Sequence, residues 1–244
     1  PIPVSAAGGP TLSVKALLDS DRSAWEKVWT KFQGEATAPW RCHKDPAWAS
    51  GLPPLKGSDI AEAARKFKKN TAMGCDSLRP RWISWLTDDL LEGYARLFNV
   101  LESRGIWPTA VQTLLVAQIP KADGGRRPIG LLPTLVRLWE KARKPVMEAW
   151  RSTVERSYNF AAKGKSSGTA AWLQAHYAEV AVGKGGHSAA VLLDLAKAFE
   201  MVKLELVWKA GLKMRCPPAI LALELEALAF QRRLGGPLRL MLCS

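Results

Sequence analysis

The chain has 244 residues, of which 48% are hydrophobic, and its 35 lysines and arginines outnumber its 22 aspartates and glutamates, for a net charge of +13. This apolar content is enough for a packed core and excludes disorder of the whole chain. No apolar run reaches the roughly 18–20 residues that a membrane span needs, and residues 1–12 lack the plan of a signal peptide, so we expect a soluble intracellular protein, nuclear or cytoplasmic, with no membrane partner.

Hydrophobic periodicity predicts a mostly helical chain with two stretches that contain strands. The predicted helices cover residues 12–32, 59–70, 79–105, 134–156, 168–182, 203–214 and 217–230. The predicted strands are 110–121, which a Gly-Gly turn joins to 129–133, a buried strand at 188–195, and the start of a hairpin at 231–244. Ser58 is the expected N-cap of the second helix, Gly105 closes the third, and Pro145 kinks or breaks the fourth. This order of elements indicates an α+β fold.

The positive charge is unevenly distributed. Between Lys121 and Lys165 there are 11 basic and 4 acidic residues, which is +7 of the net +13. Such concentrations attract phosphates and indicate a nucleic-acid partner, although an inert basic surface is the simpler alternative. The residues predicted to contact nucleic acid are Arg65, Lys66, Lys68, Lys69, Lys163 and Lys165.

Asp194 is the candidate for chemistry. It stands at the end of the apolar run AAVLLDL, where the expected strand would present a carboxylate to solvent. A carboxylate in that position can bind a hard cation such as Mg²⁺, or it can cap the helix expected to follow. The residues alone leave both readings open.

Three cations surround the Gly-Gly turn of IPKADGGRRPIGLL: Lys121, Arg126 and Arg127. Cations on a short hairpin suit a triphosphate, because they balance its charge during phosphoryl transfer. The alternative is a solvated turn.

Four stretches follow one another in the order KKNTAMGCDSL (68–78), IPKADGGRRPIGLLPTLVRLWEK (119–141), YNFAAKGKSSGTAAWLQ (158–174) and VLLDLAKAFEMV (191–202). This succession resembles the reverse transcriptases of retrotransposons that lack long terminal repeats. The second and fourth stretches match the family pattern closely and the other two loosely. The resemblance implies an N-terminal extension or linker at 1–58, a mostly helical fingers subdomain at 59–157, and at 158–244 the start of a palm with a small antiparallel sheet.

The resemblance also implies roles for individual residues. Asp194 would be the first catalytic aspartate and would bind Mg²⁺ together with the Leu195 carbonyl, in a two-metal nucleotidyl transfer to a primer 3′-hydroxyl. The phosphates of the incoming dNTP would be bound by Lys121, Arg127 and, as a neighbour, Arg126. Phe199 would stack under the sugar of the nucleotide, or it is simply a core aromatic.

The sequence departs from the family where the remaining catalytic carboxylates are expected. Neither Gly-x-Pro-Gln-Gly nor the later x-Asp-Asp turn occurs, and the one Asp-Asp pair, Asp88-Asp89, falls within a predicted helix upstream of the hairpin. One carboxylate cannot hold two cations, so we expect no polymerase activity from the isolated 244 residues. The chain would then be a fragment that continues into the rest of a polymerase, a decayed copy, or a non-enzymatic RNA- or DNA-binding module derived from such an enzyme.

Two further expectations remain. A purely structural helical scaffold is a third possible class of protein, and the clustered positive charge disfavours it. An exposed strand at 189–194 would favour self-association.

Overall fold

The computed structural model describes residues 13–29, 38–42, 48, 51–122, 126–162, 164–194 and 201–235. Within these residues the helices are α1 (Val14–Trp29), α2 (Pro39–Cys42), α3 (Gly57–Arg65), α4 (Asp88–Arg104), α5 (Thr134–Val154), α6 (Ser167–Gly183), α7 (Leu204–Lys213) and α8 (Pro218–Leu228). Two 3-10 helices cover Pro80–Trp85 and Thr109–Val111. The strands are β1 (Thr113–Pro120), β2 (Arg126–Leu131) and β3 (Gln231–Gly235). The predicted α+β class is confirmed.

The chain divides into two compact units. The smaller is Val146–Phe199, and the larger contains Pro1–Pro145 and Glu200–Ser244. The boundary falls inside α5, next to Pro145, which interrupts the hydrogen-bond ladder of that helix because it lacks an N–H group. No helix in the described ranges is both long and apolar enough to cross a membrane.

The sheet of the larger unit has the order β2-β1-β3. The β1–β2 pair is the antiparallel hairpin that the Gly-Gly turn predicts, with Ala117 opposite Ile129. The β1–β3 pair is parallel, with Thr113 opposite Gln231. For the described residues, the prediction of an antiparallel sheet within 158–244 is therefore wrong. The sheet is mixed, and two of its strands precede that region, because β3 pairs with the free edge of the hairpin.

The helical core of the larger unit lies around α3, α4 and α8. Ile60, Leu91 and Phe98 are buried in it, as is most of α8. Trp107, which follows α4, donates its indole N–H to the Leu223 carbonyl at 2.9 Å. Its ring packs edge-on against Trp139 of α5, with centroids 5.4 Å apart.

Two buried glutamates tie distant segments to this core. Glu102 accepts hydrogen bonds from the indole of Trp139 and the guanidinium of Arg143. Glu226 of α8 accepts from the indole of Trp40 at 2.7 Å and from the Arg41 guanidinium. Each glutamate is only 2% exposed, and these donors supply hydrogen bonds to its buried carboxylate oxygens.

The third predicted helix is two elements rather than one. The 3-10 helix ends at Trp85, Leu86 is extended, and α4 begins at Asp88 with Thr87 as its N-cap. The sequence Thr-Asp-Asp was the available signal, since Thr is a preferred N-cap and acidic residues are favourable in the first turn. The helix ends as predicted, at Gly105, whose φ of 64° suits glycine. Ser58 is not the N-cap of α3, because Lys56 takes that position.

The smaller unit differs most from the sequence-based expectation. Residues 188–194 form no strand, and Val191, Leu192 and Leu193 are 83–87% exposed. A strand must satisfy its backbone N–H and C=O groups on a neighbouring strand, and the described part of this unit contains only helical and irregular segments. The prediction of a buried strand ending at Asp194 is therefore wrong.

Candidate nucleotide-binding and nucleic-acid-binding sites

The β1–β2 hairpin separates its two arginines onto opposite faces. Arg126 is opposite Pro120 and Arg127 is opposite Ile119 in the register. Because consecutive residues of a strand point to opposite sides of the sheet, one guanidinium lies on each side of the hairpin.

Arg126 lies on the side of the sheet that α1 covers. Its guanidinium forms an ion pair with Asp21 of α1, which is largely shielded from solvent. On the same face, the Arg232 guanidinium lies over the ring of Trp29 at 5.1 Å. Arg126 is thus neutralised within the protein and is the weakest of the three predicted phosphate ligands.

Arg127 lies on the opposite face, where a surface pocket of about 370 Å³ opens at the end of the hairpin. Its lining residues are Ile119, Pro120, Lys121, Ala122 and Arg127. Within the described residues the side chains of Lys121 and Arg127 have no hydrogen-bonded or ionic partner, and both residues are exposed. The pocket therefore combines an apolar wall with two cations whose charge nothing in this part of the chain balances.

The loop Gly74-Cys75-Asp76 holds both ends of the hairpin. The Cys75 thiol donates to the carbonyl of Thr113, at the start of β1, at 3.1 Å. The Asp76 carboxylate accepts from the backbone N–H of Thr134, just after β2, and so caps the N-terminus of α5. Burial, followed by the nearby charge of Asp76, raises the pKa of the Cys75 thiol, which is the less reactive direction. Sequence reasoning matched this loop only loosely to a motif and missed its contacts.

Gly74 makes the closest approach in this loop. A Cβ atom there would lie 2.6 Å from the Leu132 carbonyl oxygen and 3.0 Å from the Pro133 Cα, both of which are backbone atoms. We expect Gly74→Ala to lower the free energy of unfolding by about 1–3 kcal/mol, measured by urea denaturation. Gly93→Ala is the matched control, since a Cβ at that helical position meets nothing within 4 Å and should stabilise by about 1 kcal/mol. Equal effects of the two substitutions would contradict this account.

A charged cluster lies beneath the loop, on α5 and α8. Arg137 donates to the Ala72 carbonyl at 2.8 Å, while its Nε and Nη2 atoms are buried and have no partner among the described residues. Burial lowers the pKa of Arg137 and raises that of Glu140 to about 8, the latter with a further contribution from the charge of Glu224. Burial also raises the pKa of Glu224. Neither carboxyl was singled out from the sequence, because burial cannot be seen there.

Asp194 is exposed and lies in an irregular segment of the smaller unit. Leu195, Phe199 and Lys163, to which the sequence assigned metal, sugar and phosphate contacts, lie outside the described residues. In the described ranges no three His, Cys, Asp or Glu side chains are grouped so that they could hold a metal ion. Among the described residues Asp194 is a lone exposed carboxylate, and the Mg²⁺ site stays a prediction.

Some of the residues predicted to contact nucleic acid form ion pairs within the protein, and others do not. Lys66 is paired with Glu62 at 2.6 Å, and Lys165 is paired with Glu155 at 2.9 Å. Lys68 and Lys69, just beyond the end of α3, are exposed and have no ionic partner in the described part of the chain. Arg65, in the last turn of α3, is also exposed.

No protein-family model matches the chain, and a search of the curated proteins finds no match.

Proposed function

We propose that this chain is the fingers and the start of the palm of an RNA-directed DNA polymerase, and that its β1–β2 hairpin binds the triphosphate of the incoming nucleotide. The supporting observation is the pocket in which Lys121 and Arg127 lie together without a counter-charge from the described residues. A triphosphate supplies the missing negative charge, and the planar guanidinium of Arg127 can bind two phosphate oxygens at once.

The apolar wall of the pocket adds a second argument. Ile119 is 48% exposed at the end of β1 and lines the pocket beside the two cations. A sugar or base placed against it would bury this surface while the phosphates contact the cations. The site thus suits a nucleotide better than inorganic phosphate.

The experiment is nucleoside triphosphate binding to the full chain, measured by equilibrium dialysis with labelled dTTP. Arg127→Gln and Lys121→Gln should each weaken binding about 10-fold or more, since a hydrogen bond to a charged group contributes about 1.5–3 kcal/mol. Arg126→Gln is the matched control: the same substitution at the next residue, on the other face, should change affinity by less than about 3-fold.

Two outcomes would contradict the proposal. One is no measurable binding of dTTP to the wild-type chain. The other is an equal loss for Arg126→Gln and Arg127→Gln, which would mean that general positive charge, and not the pocket, attracts the nucleotide.

A second candidate function is polynucleotide binding without catalysis. The observation that favours it is the pair of exposed lysines Lys68 and Lys69, which follow the end of α3 and have no ionic partner among the described residues. Binding of this kind neutralises phosphates and releases counterions, so the affinity for an oligonucleotide should fall steeply as salt is raised.

A further inference from the structure

The 3-10 helix Pro80–Trp85 has three distinct edges, because residues three apart coincide in such a helix. Pro80 and Ile83 form the buried edge. Trp82 and Trp85 form an outward edge, with exposures of 47% and 74%, and they lie one turn of the 3-10 helix apart. The outward edge is thus a short row of two exposed indoles.

A basic side chain lies at the Trp82 end of this row. The Arg79 guanidinium lies over the Trp82 ring at 5.9 Å, a cation–π contact. Arg79 also donates to the Lys69 carbonyl at 3.4 Å. Arg79 therefore connects the indole of Trp82 to the basic segment that follows α3.

Arg81 fixes the third edge to the end of α3. Its Nη1 donates to the Arg65 carbonyl and, at 2.9 Å, to the Phe67 carbonyl, both of which are left without a helical donor where α3 ends. The guanidinium satisfies these carbonyls while the side chains of Lys68 and Lys69 remain in solvent. Arg79 and Arg81 thus connect the 3-10 helix that carries Trp82 and Trp85 to the segment of Lys68 and Lys69, which have no ionic partner in the described part of the chain.

We propose that Trp82, Trp85, Lys68 and Lys69 form a binding surface for single-stranded nucleic acid. The inference rests on the second function proposed above, polynucleotide binding. It assigns base contacts to the two tryptophans and phosphate contacts to the two lysines. Bases stack on the two indoles, and the phosphates of the same strand lie over the two lysines. Because Asp88 and Asp89 begin α4 just beyond Trp85, their charge excludes the backbone from that side and directs it toward the lysines.

Single strands are favoured over duplexes for a geometric reason. In a duplex the faces of the bases are already covered by their neighbours, so exposed indoles gain nothing. In a single strand every base can offer a face, and RNA and DNA are equivalent in this respect. Protein partners are disfavoured, because the surface joins its aromatic rings to unpaired positive charge.

The test is fluorescence anisotropy of labelled oligo(U) of about 12 nucleotides with the full chain, at about 50–200 mM salt. Trp85→Ala should weaken binding by about 5- to 150-fold, which corresponds to the stacking of one base, without changing the salt slope. Trp85→Phe should retain most of the affinity. The double variant Lys68→Gln/Lys69→Gln should lower the salt slope by about 1.4, that of two phosphate contacts. Trp172→Ala is the matched control, since Trp172 is 64% exposed but lies on α6, and it should have no effect.

The outcomes separate this inference from the function on which it rests. If oligo(U) does not bind the wild-type chain, polynucleotide binding itself fails. If oligo(U) binds and Trp85→Ala matches the wild type, or Trp172→Ala has the same effect, the chain binds polynucleotides but the stacking surface is overturned. Oligo(dT) should respond to Trp85→Ala as oligo(U) does, and a duplex of the same length should not. An equal loss on the duplex would also overturn the inference.

Discussion

Replacing Glu102 with leucine is expected to lower the free energy of unfolding by about 3–5 kcal/mol, the cost of leaving one member of a buried ion pair alone. Glu102 and Arg143 are each 3% exposed at the side chain, and the carboxylate also accepts the Trp139 N–H at 2.7 Å. Without it, the guanidinium keeps only its 2.8 Å contact with the Pro53 carbonyl. Urea denaturation would measure the effect as a lower midpoint with an unchanged slope.

The double variant Glu102→Leu/Arg143→Met makes this prediction specific. It should be more stable than either single variant, because no buried charge is then left without a partner. Glu62→Ala is the surface control: it breaks the solvent-exposed pair with Lys66 and should leave the urea midpoint close to that of the wild type. If the losses of the two single variants simply added in the double variant, Glu102 and Arg143 would not be coupled as described.

This ion pair also concerns the proposed site. Arg143 lies on α5, the helix whose first residue is capped by Asp76 of the loop that holds both ends of the hairpin. The position of Lys121 and Arg127 is thus connected to the core through α5. We expect Glu102→Leu to weaken nucleotide binding only by lowering the fraction of folded protein.

The sequence predicted the hairpin and the end of α4 because their signals are local. Alternation and a Gly-Gly turn define β1 and β2 within residues that follow one another, and Gly105 marks the end of α4 by itself. From these local signals alone, Lys121, Arg126 and Arg127 could not be ranked as phosphate ligands. Their separation into one neutralised and two free groups depends on Asp21, which is 105 residues away from Arg126.

The errors have the same origin. Residues 188–194 have the apolar pattern of a strand, but a pattern cannot supply the neighbouring strand that its backbone needs. The short strand β3 does find such an edge, on β1, although 231–235 is a less apolar segment. The basic residues after α3 were predicted, but the two tryptophans beside them were assigned to a helix of regular 3.6-residue period. The 3-10 period instead exposes both on one edge.

Glu140 gives the chain a pH-dependent stability that the sequence does not suggest. Its folded-state pKa is raised from 4.5 to about 8 by burial and then by the charge of Glu224, while Arg137 opposes the shift. In the folded chain the carboxyl therefore keeps its proton up to about pH 8, whereas the unfolded chain releases it above about 4.5. The unfolded state then binds fewer protons, so stability is fully present below pH 4.5 and decreases as pH rises through about 8.

We therefore expect Glu140→Gln to flatten the fall in stability between about pH 5 and 8, by up to about 1.4 kcal/mol per pH unit. Urea denaturation of both proteins at several pH values measures the difference, and the variant should be the more stable of the two at pH 8. Glu148→Gln, at an exposed position two turns further along α5, should keep the wild-type slope. Glu224→Gln should end the wild-type fall at a lower pH, because it removes the second cause, after burial, of the raised pKa of Glu140. Parallel curves for the wild type and Glu140→Gln would mean that Glu140 is ionised in the folded chain, and that Arg137, with its two unpartnered buried nitrogens, is what stabilises the carboxylate.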